Sequence, residues 1–193
     1  MKLLFTGLIT ASAILLSACN NNADKAKDNA ETQHDMENKN HMDHNQTENT
    51  SVFGEVFAHY QHLTFALSND DAQEAASGAK AISEAMAKVD KSGFTAEQTK
   101  MFADLEADIQ EHTEHIVDNT KNIAHQREHL VGLSEDLYDI AKTFGAGKTY
   151  YKTFCPMYNN NQGAFWLSDS KEIRNPYFGS EMLTCGEIQE EIK

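Results

Sequence analysis

The chain has 193 residues and a formal net charge of −14 at pH 7, from 16 Lys and Arg against 30 Asp and Glu. This charge excludes a basic nucleic-acid-binding protein, because neutralised phosphates supply much of the affinity for nucleic acid. The length fits one domain of modest size with appended segments. The 3 cysteines allow at most one intrachain disulfide, so at least one cysteine has another role.

Residues 1–18 predict a bacterial export signal. Lys2 precedes an apolar run that ends at Leu16 and is too short to span a bilayer as a helix. The segment from Leu16 to Cys19 resembles the lipobox of bacterial lipoproteins. The resemblance implies lipidation of Cys19 and attachment to a membrane of the bacterial cell envelope, at its periplasmic face or at the cell surface. An ordinary cleaved signal, with a cysteine there by chance, is the alternative.

Residues 19–51 predict a disordered tether, because they are polar and contain too few apolar side chains to offset the entropy lost on ordering. The tether contains two short clusters of His and Met. Imidazole and thioether groups together suit copper better than they suit hard cations. We therefore treat His41, Met42 and His44 as candidate copper ligands. A hydrophilic tether in which these residues have no ligand role is the alternative.

Residues 52–144 contain no proline and predict helices, because apolar residues recur at intervals of three and four. The first apolar stripe runs from Val52 to Leu67. A second helix is expected from about Asp71 to Val89, with many small side chains that allow close approach of a neighbouring helix.

Two further helices follow in the same region. Thr95 with Gln98 three residues later forms a capping-box pattern that predicts the start of the third helix. A break is expected within residues 118–120, where Asn119 can end one helix and Thr120 can cap the next. The four stripes predict an all-α, up-and-down four-helix bundle that ends at residue 144. One unbroken helix across the third and fourth stripes is the alternative.

Residues 145–193 are rich in aromatic residues and predict a small irregular cap with a short hairpin around the turn at residues 159–163. This segment contains two pairings of a thiol with a thioether. They are Cys155 with Met157, and Met182 with Cys185. Such soft donors select Cu(I) or Ag(I), whereas zinc held by thiolates and histidines is a less favoured alternative. A structural disulfide between the two cysteines competes with both metal hypotheses.

The C-terminal motifs carry a family resemblance. They comprise residues 154–157, residues 163–168 and residues 172–186. From about residue 55 to residue 190 the chain resembles the domain of unknown function family 3347 (DUF3347). That family is found in bacterial lipoproteins and in C-terminal extensions of copper and silver efflux membrane-fusion adaptors. The resemblance implies one domain over residues 52–193, a metal-handling context in the cell envelope and no assigned activity.

Six histidines form three pairs whose members are three or four residues apart, which places each pair on one side of a helix. These pairs are His59 with His62, His112 with His115, and His125 with His129. His59 and His112 fall on apolar stripes, so they are a candidate second metal site, with hydrogen-bonded core histidines as the alternative. His129 lies at the edge of its stripe and is a candidate further donor to the cysteine and methionine site. Arg127, on the same helix, is expected to have a structural role.

No phosphate-binding glycine loop, nucleophile elbow or zinc-protease motif occurs in the sequence, so no enzyme activity is predicted. We expect an envelope lipoprotein that binds copper through Cys155, Met157, Met182 and Cys185, for metal storage, delivery or resistance. A copper efflux adaptor or another envelope protein is the expected partner. A metal-independent interaction module stapled by a disulfide is the alternative, and a cysteine-based redox enzyme with a lowered thiol pKa is a third hypothesis.

Overall fold

The computed structural model describes residues 51–193. The predicted export signal, the lipidation site Cys19 and the tether residues His41, Met42 and His44 lie outside the described residues. Four long helices come first: α1 (Gly54–Ser68), α2 (Ala72–Met86), α3 (Ala96–Asp118) and α4 (Ile123–Phe144). In the described part of the chain, no helix is both long enough and apolar enough to cross a membrane.

The helix starts follow from local capping. Asp71 accepts hydrogen bonds from the backbone N–H groups of residues 73 and 74 at the start of α2. The capping box between Thr95 and Gln98 is present at the start of α3, as the sequence predicts. The third and fourth helices are separate, so the unbroken helix is excluded. The cap of α4 differs from the prediction, because the side chain of Asn122, not Thr120, accepts from the backbone of His125.

Each long helix packs mainly against its neighbours in the sequence. The small side chains of α2 allow a close approach to α1, as expected: a Cβ on Gly78 would lie 2.9 Å from the backbone nitrogen of Leu63. An aromatic cluster fills one end of the helical region, where the rings of Phe53, Phe102 and Phe144 pack against each other. Most of the buried apolar residues therefore lie between the helices.

The C-terminal segment contains a small sheet rather than an irregular cap. Strand β1 (Tyr150–Cys155) pairs antiparallel with β2 (Ala164–Ser168) and with β3 (Glu187–Ile192), in the order β2-β1-β3. The predicted hairpin is present between β1 and β2, and its turn has positive φ angles at three consecutive asparagines, residues 159–161. The fold is therefore mostly helical rather than all-α, because β3 extends the predicted hairpin to a three-stranded sheet. That strand has no alternating pattern, and only Ile192 is buried.

Tyr60 and Arg127 make two of the polar links between the helices and the C-terminal segment. The buried hydroxyl of Tyr60 lies 2.7 Å from Ser134 Oγ on α4 and accepts the backbone N–H of Leu167 on β2 at 3.2 Å. Ser134 Oγ donates to the carbonyl of its own helix, so Tyr60 is the donor to Ser134. Helix α4 also packs directly on β2. These contacts hold the sheet against the α1 and α4 faces.

Arg127 on α4 forms the second link. Its guanidinium donates to the carbonyl of Pro176 at 2.8 Å, to the carbonyl of Leu67 at 2.9 Å and to the carboxylate of Asp70 at 2.7 Å. Hydrogen bonds from Ser180 and from Arg127 lower the pKa of Asp70 to about 2. One side chain therefore connects α4, the α1–α2 turn and the C-terminal segment, which agrees with the structural role expected for Arg127.

Candidate metal centre

Four histidines from two consecutive helices meet on one side of the helical region. His112 and His115 lie on α3, and His125 and His129 lie on α4. Within each helix, the spacing of three or four residues places both imidazoles on one face. Because α3 and α4 are joined by a short turn and pack along their length, the two faces meet. We call these four residues the histidine cluster.

Three members of the cluster can share one ion. One nitrogen each from His115, His125 and His129 lies within 4.8 Å of the other two, with His115 exposed and the others partly buried. No other group of three His, Cys, Asp or Glu residues within residues 51–193 meets this condition. A zinc or copper ion takes imidazole nitrogens at about 2.0–2.1 Å, so modest side-chain movement would bring the three nitrogens to ligand distance.

The ring orientations show which side chain has to move. The rings of His115 and His129 are stacked, 4.1 Å apart between centroids and 7° from parallel. The ring of His125 stands nearly perpendicular to that of His129, at 79°. An ion lies in the plane of each imidazole that binds it, so two stacked rings cannot both point at one ion. The ring of His115 must therefore turn, and its exposure leaves room for the rotation.

His112 is the fourth member and contacts the cluster from the partly buried side. Its Nδ1 lies 3.2 Å from Nδ1 of His129, so one of the two nitrogens carries the shared proton. Its Nε2 lies 3.8 Å from Oδ2 of Asp136 on α4. That carboxylate oxygen is buried and has no hydrogen-bond partner among the described residues.

The electrostatics favour the neutral imidazoles of His112 and His129. Burial, followed by the proximity of the other three histidines, lowers the pKa of His129. Burial is also the main cause of the lowered pKa of His112. A metal ion binds only the neutral imidazole, so a lowered pKa keeps the His129 donor available at neutral pH.

The carboxyl group of Asp136 is perturbed in the opposite direction. Burial, and then the nearby charges of Asp108, Asp139 and Glu135, raise its pKa to about 7. A partly buried acid without a hydrogen-bond donor is costly to keep ionised, and such groups concentrate at functional sites.

The sequence identified only part of this cluster. His129 was expected near the cysteines, but its ring contacts the other three histidines. His112 was expected to share a site with His59, whereas its ring nitrogens face His129 and Asp136. The sequence shows the spacing that pairs His115 with His112 on one helix, and His125 with His129 on the next. Nothing in the sequence indicates that these two helix faces meet.

The two cysteines of the C-terminal segment also lie together. Cys155 ends β1 and is fully buried, and Cys185 precedes β3 and is partly buried. Both are free thiols, so the disulfide alternative is not what the structure contains. Burial, followed by the proximity of Cys155, raises the pKa of the Cys185 thiol. A reactive redox cysteine needs a lowered pKa, so the redox-enzyme hypothesis receives no support from Cys185.

Asn175 fixes the loop that carries Cys185. The side chain of the buried Asn175 donates to the carbonyl of Cys185 at 2.8 Å, and its backbone N–H donates to the carbonyl of Leu183 at 2.7 Å. Met157 and Met182, the other members of the predicted site, are 48% and 37% exposed. The structure thus brings the two thiols together and leaves both thioethers at the surface.

A comparison with protein families gives one match. The model of a family described as "Protein of unknown function (DUF3347)" matches residues 56–149. Residues 56–149 belong to the DUF3347 family. The DUF3347 match covers α2, α3, α4, all but the first two residues of α1 and the whole histidine cluster, and it ends just before β1. The C-terminal motifs that carried the sequence resemblance, including both cysteines of the sheet region, lie beyond the matched residues.

Searches of curated proteins and of solved structures give no match to this chain.

Proposed function

We propose that this protein binds a transition-metal ion, Cu(II) in preference to Zn(II), through His115, His125 and His129. The observation that carries the proposal is the convergence of three imidazole nitrogens within 4.8 Å of one another. Imidazole suits both metals, and among divalent first-row ions Cu(II) binds such donors most tightly. Copper therefore remains the expected metal, at a different place from the one the sequence suggested.

Three protein ligands suit a protein that exchanges its metal. Structural zinc sites are usually closed by four protein ligands, whereas a site with three leaves a coordination position open to water or to a donor on a partner. The exposure of His115 places that opening toward solvent. We infer a role in metal storage, delivery or resistance rather than a purely structural role.

The proposed location is the bacterial cell envelope. It is supported by the lipobox-like segment before Cys19, which would anchor the chain to a membrane through its acylated N-terminus. The likeness to domains attached to copper and silver efflux adaptors makes such an adaptor, or another envelope protein, the proposed partner. We also take α1 to α4 to be an up-and-down four-helix bundle, supported by their short connections and by packing between consecutive helices.

A Cu(II) titration of the purified protein tests the site. His34, His41 and His44 should first be changed to Ala in every sample, so that the tether does not contribute. In that background, His115→Ala/His125→Ala/His129→Ala should weaken Cu(II) binding at least about a hundredfold, because all three protein ligands are lost. The matched control, His59→Ala/His62→Ala, removes a histidine pair from α1 and should leave the affinity unchanged.

Equal Cu(II) affinity in the triple variant and the control would show that the histidine cluster is not the site. Absence of Cu(II) and Zn(II) binding in the parent protein would favour the metal-independent interaction module that the sequence left as the alternative.

The thiol pair is a second candidate site, for Cu(I). It is favoured by one observation, the proximity of the free thiols of Cys155 and Cys185. Two soft thiolates suit a monovalent copper ion, with Met157 and Met182 as the proposed additional donors.

A Cu(I) titration under reducing conditions, with Cys155→Ser/Cys185→Ser beside Met157→Leu/Met182→Leu, tests this second site. Loss of affinity in both variants would support the full set of four donors. Loss in the cysteine variant alone would reduce the site to the thiol pair, and equal affinity in all samples would exclude it.

A further inference from the structure

One part of the histidine cluster is not explained by metal ligation alone. His112 faces the cluster without belonging to the group of three nitrogens that can share an ion. Behind it, Asp136 is only 15% exposed and has a buried oxygen without a hydrogen-bond partner. Leaving such a group unpaired costs about 1–3 kcal/mol, so its presence beside the cluster calls for a functional reason.

We propose that His112 and Asp136 form an outer-sphere chain that fixes the tautomer and orientation of His129, so that His129 binds the metal ion through Nε2. The inference rests on the proposed function, because it concerns the same metal site. His112 is a positioning residue in this scheme, and Asp136 orients His112.

The contacts define the direction of the chain. The carboxyl group of Asp136 lies next to Nε2 of His112, and in the ionised form of Asp136 the carboxylate oxygen would repel a lone pair on that nitrogen. The proton of neutral His112 therefore sits on Nε2, which leaves Nδ1 as an acceptor. Across the 3.2 Å contact, Nδ1 of His129 must then be the donor. With Nδ1 protonated, the lone pair of His129 is on Nε2.

This arrangement matches the outer-sphere pattern of metal-binding histidines. Such a histidine usually donates its second ring N–H to a carboxylate, a carbonyl or another acceptor, which fixes the ring and strengthens its donor nitrogen. Here the acceptor is an imidazole backed by a carboxylate. The separation of 3.8 Å between His112 and Asp136 is longer than a hydrogen bond, and it has to shorten by about 1 Å when the ion binds.

The backbone of α4 is shaped to hold the ring of His112. A Cβ added to Gly132 would collide with Nε2 and Cε1 of that ring. Glycine in a helix interior costs about 1 kcal/mol relative to alanine, so its presence here needs a packing reason. The space it leaves on α4 is occupied by His112 and lies one turn before Asp136.

Metal affinity and imidazole NMR together test the inference on the full chain, in the tether background described above. His112→Phe keeps a ring of similar size but removes the acceptor, and Asp136→Asn removes the charge with little change of shape. Both should lower Cu(II) and Zn(II) affinity about tenfold to a hundredfold, the usual effect of losing an outer-sphere partner. His112→Gln retains an acceptor oxygen and should recover most of the affinity.

Asp139→Asn is the matched control, since it makes the same substitution at an exposed position on the same helix. It should leave the metal affinity within about twofold of the parent, because Asp139 does not contact a cluster histidine. Nitrogen-15 NMR of the imidazoles of the metal-free protein should show a proton on Nδ1 of His129, and that signature should be lost in His112→Phe.

The outcomes separate the two proposals. If the parent protein binds neither metal, the proposed function fails and this inference fails with it. If the parent protein binds metal and His112→Phe binds it equally tightly, the proposed function stands and the outer-sphere chain is wrong. A proton on Nε2 of His129 in the metal-free protein would also overturn the chain.

Discussion

The histidine cluster and the thiol pair are built by different means. The cluster uses two helices that follow each other in the sequence, and its nitrogens lie at a partly exposed surface. The thiol pair uses the last residue of β1 and a residue just before β3, two strands that pair with each other. Of the two cysteines, Cys155 is fully buried. The family match contains the first site and stops before the second. The difference separates a candidate site formed within the helical region from a candidate site that depends on the pairing of β1 with β3.

The largest effect is expected from a variant that removes hydrogen bonds between the helices and the C-terminal segment. Arg127→Ala removes three hydrogen bonds from a side chain that is only 12% exposed. The carbonyl of Pro176 then loses this donor, whereas Asp70 keeps its hydrogen bonds from Ser180 and the carbonyl of Leu67 keeps the N–H of Asp70. We expect the free energy of unfolding to fall by about 3 kcal/mol, in line with the loss of charged hydrogen bonds. Urea unfolding, followed by circular dichroism for the helices and by fluorescence of Trp166 for the sheet, measures the effect.

Trp166 is the only tryptophan of the chain and lies in β2, so its fluorescence reports on the sheet. Arg127→Lys keeps the charge but cannot donate in three directions, so it should recover less than half of the loss. Unchanged stability in Arg127→Ala would show that the Arg127 hydrogen bonds do not hold the C-terminal segment in place.

A second variant removes buried hydrogen bonds between the helices and the sheet. Tyr60→Phe removes the hydroxyl that donates to Ser134 and accepts from the N–H of Leu167. Two buried partners then lack a hydrogen bond, and we expect a loss of about 2 kcal/mol in the free energy of unfolding. The thermal transition of Trp166 fluorescence should shift with the helical transition. A shift in fluorescence alone would show that the sheet region unfolds independently.

The features that the sequence predicts correctly are local ones. The capping box of Thr95 and Gln98 lies within one turn of helix, and the small residues of α2 follow directly from the pattern of alanines. The β1–β2 hairpin also follows from a local signal, the run of asparagines at the turn. In each case, the residues that form the feature are close together in the chain, so neighbouring side chains determine it.

The features that the sequence misses depend on distant parts of the chain. Strand β3 has the composition of an exposed segment and is a strand only because β1 offers a free edge. His115 and His125 meet only because of the rotation of α3 relative to α4, which the connecting turn sets. That turn was misjudged, since Asn122 rather than Thr120 caps α4. The orphaned oxygen of Asp136 has no sequence signature at all.

The pH dependence of stability tests the environment of Asp136 beside the histidine cluster. Folding raises the pKa of Asp136 from 3.8 to about 7, so the folded state holds a proton more tightly than the unfolded state does. Stability from this group is fully present below about pH 4 and is lost as the pH rises through 7. Asp136→Asn should therefore raise the free energy of unfolding by about 1–2 kcal/mol at pH 8, and by less at pH 5.

The groups that face Asp136 act in known directions. Asp108 on α3 and both Glu135 and Asp139 on α4 raise its pKa, whereas His112 would lower it if protonated. Urea titrations at the two pH values measure the effect, with Asp104→Asn as the control, because Asp104 is exposed on α3 and is not among the groups that raise the pKa of Asp136. If Asp136→Asn is more stable than the parent protein but binds metal more weakly, Asp136 is retained for function rather than for stability. Destabilisation at pH 8 would instead give Asp136 a structural role.

The smallest expected effect separates stability from metal binding. Thr95→Ala removes the exposed cap of α3, the helix that carries His112 and His115, at a point distant in sequence from both. The loss of one capping hydrogen bond should lower the free energy of unfolding by about 1 kcal/mol. Cu(II) affinity should stay unchanged, because the ring contacts of the cluster do not involve the first turn of α3. If the affinity falls together with stability, weak binding in the other variants would reflect the loosened helices rather than the loss of specific ligands.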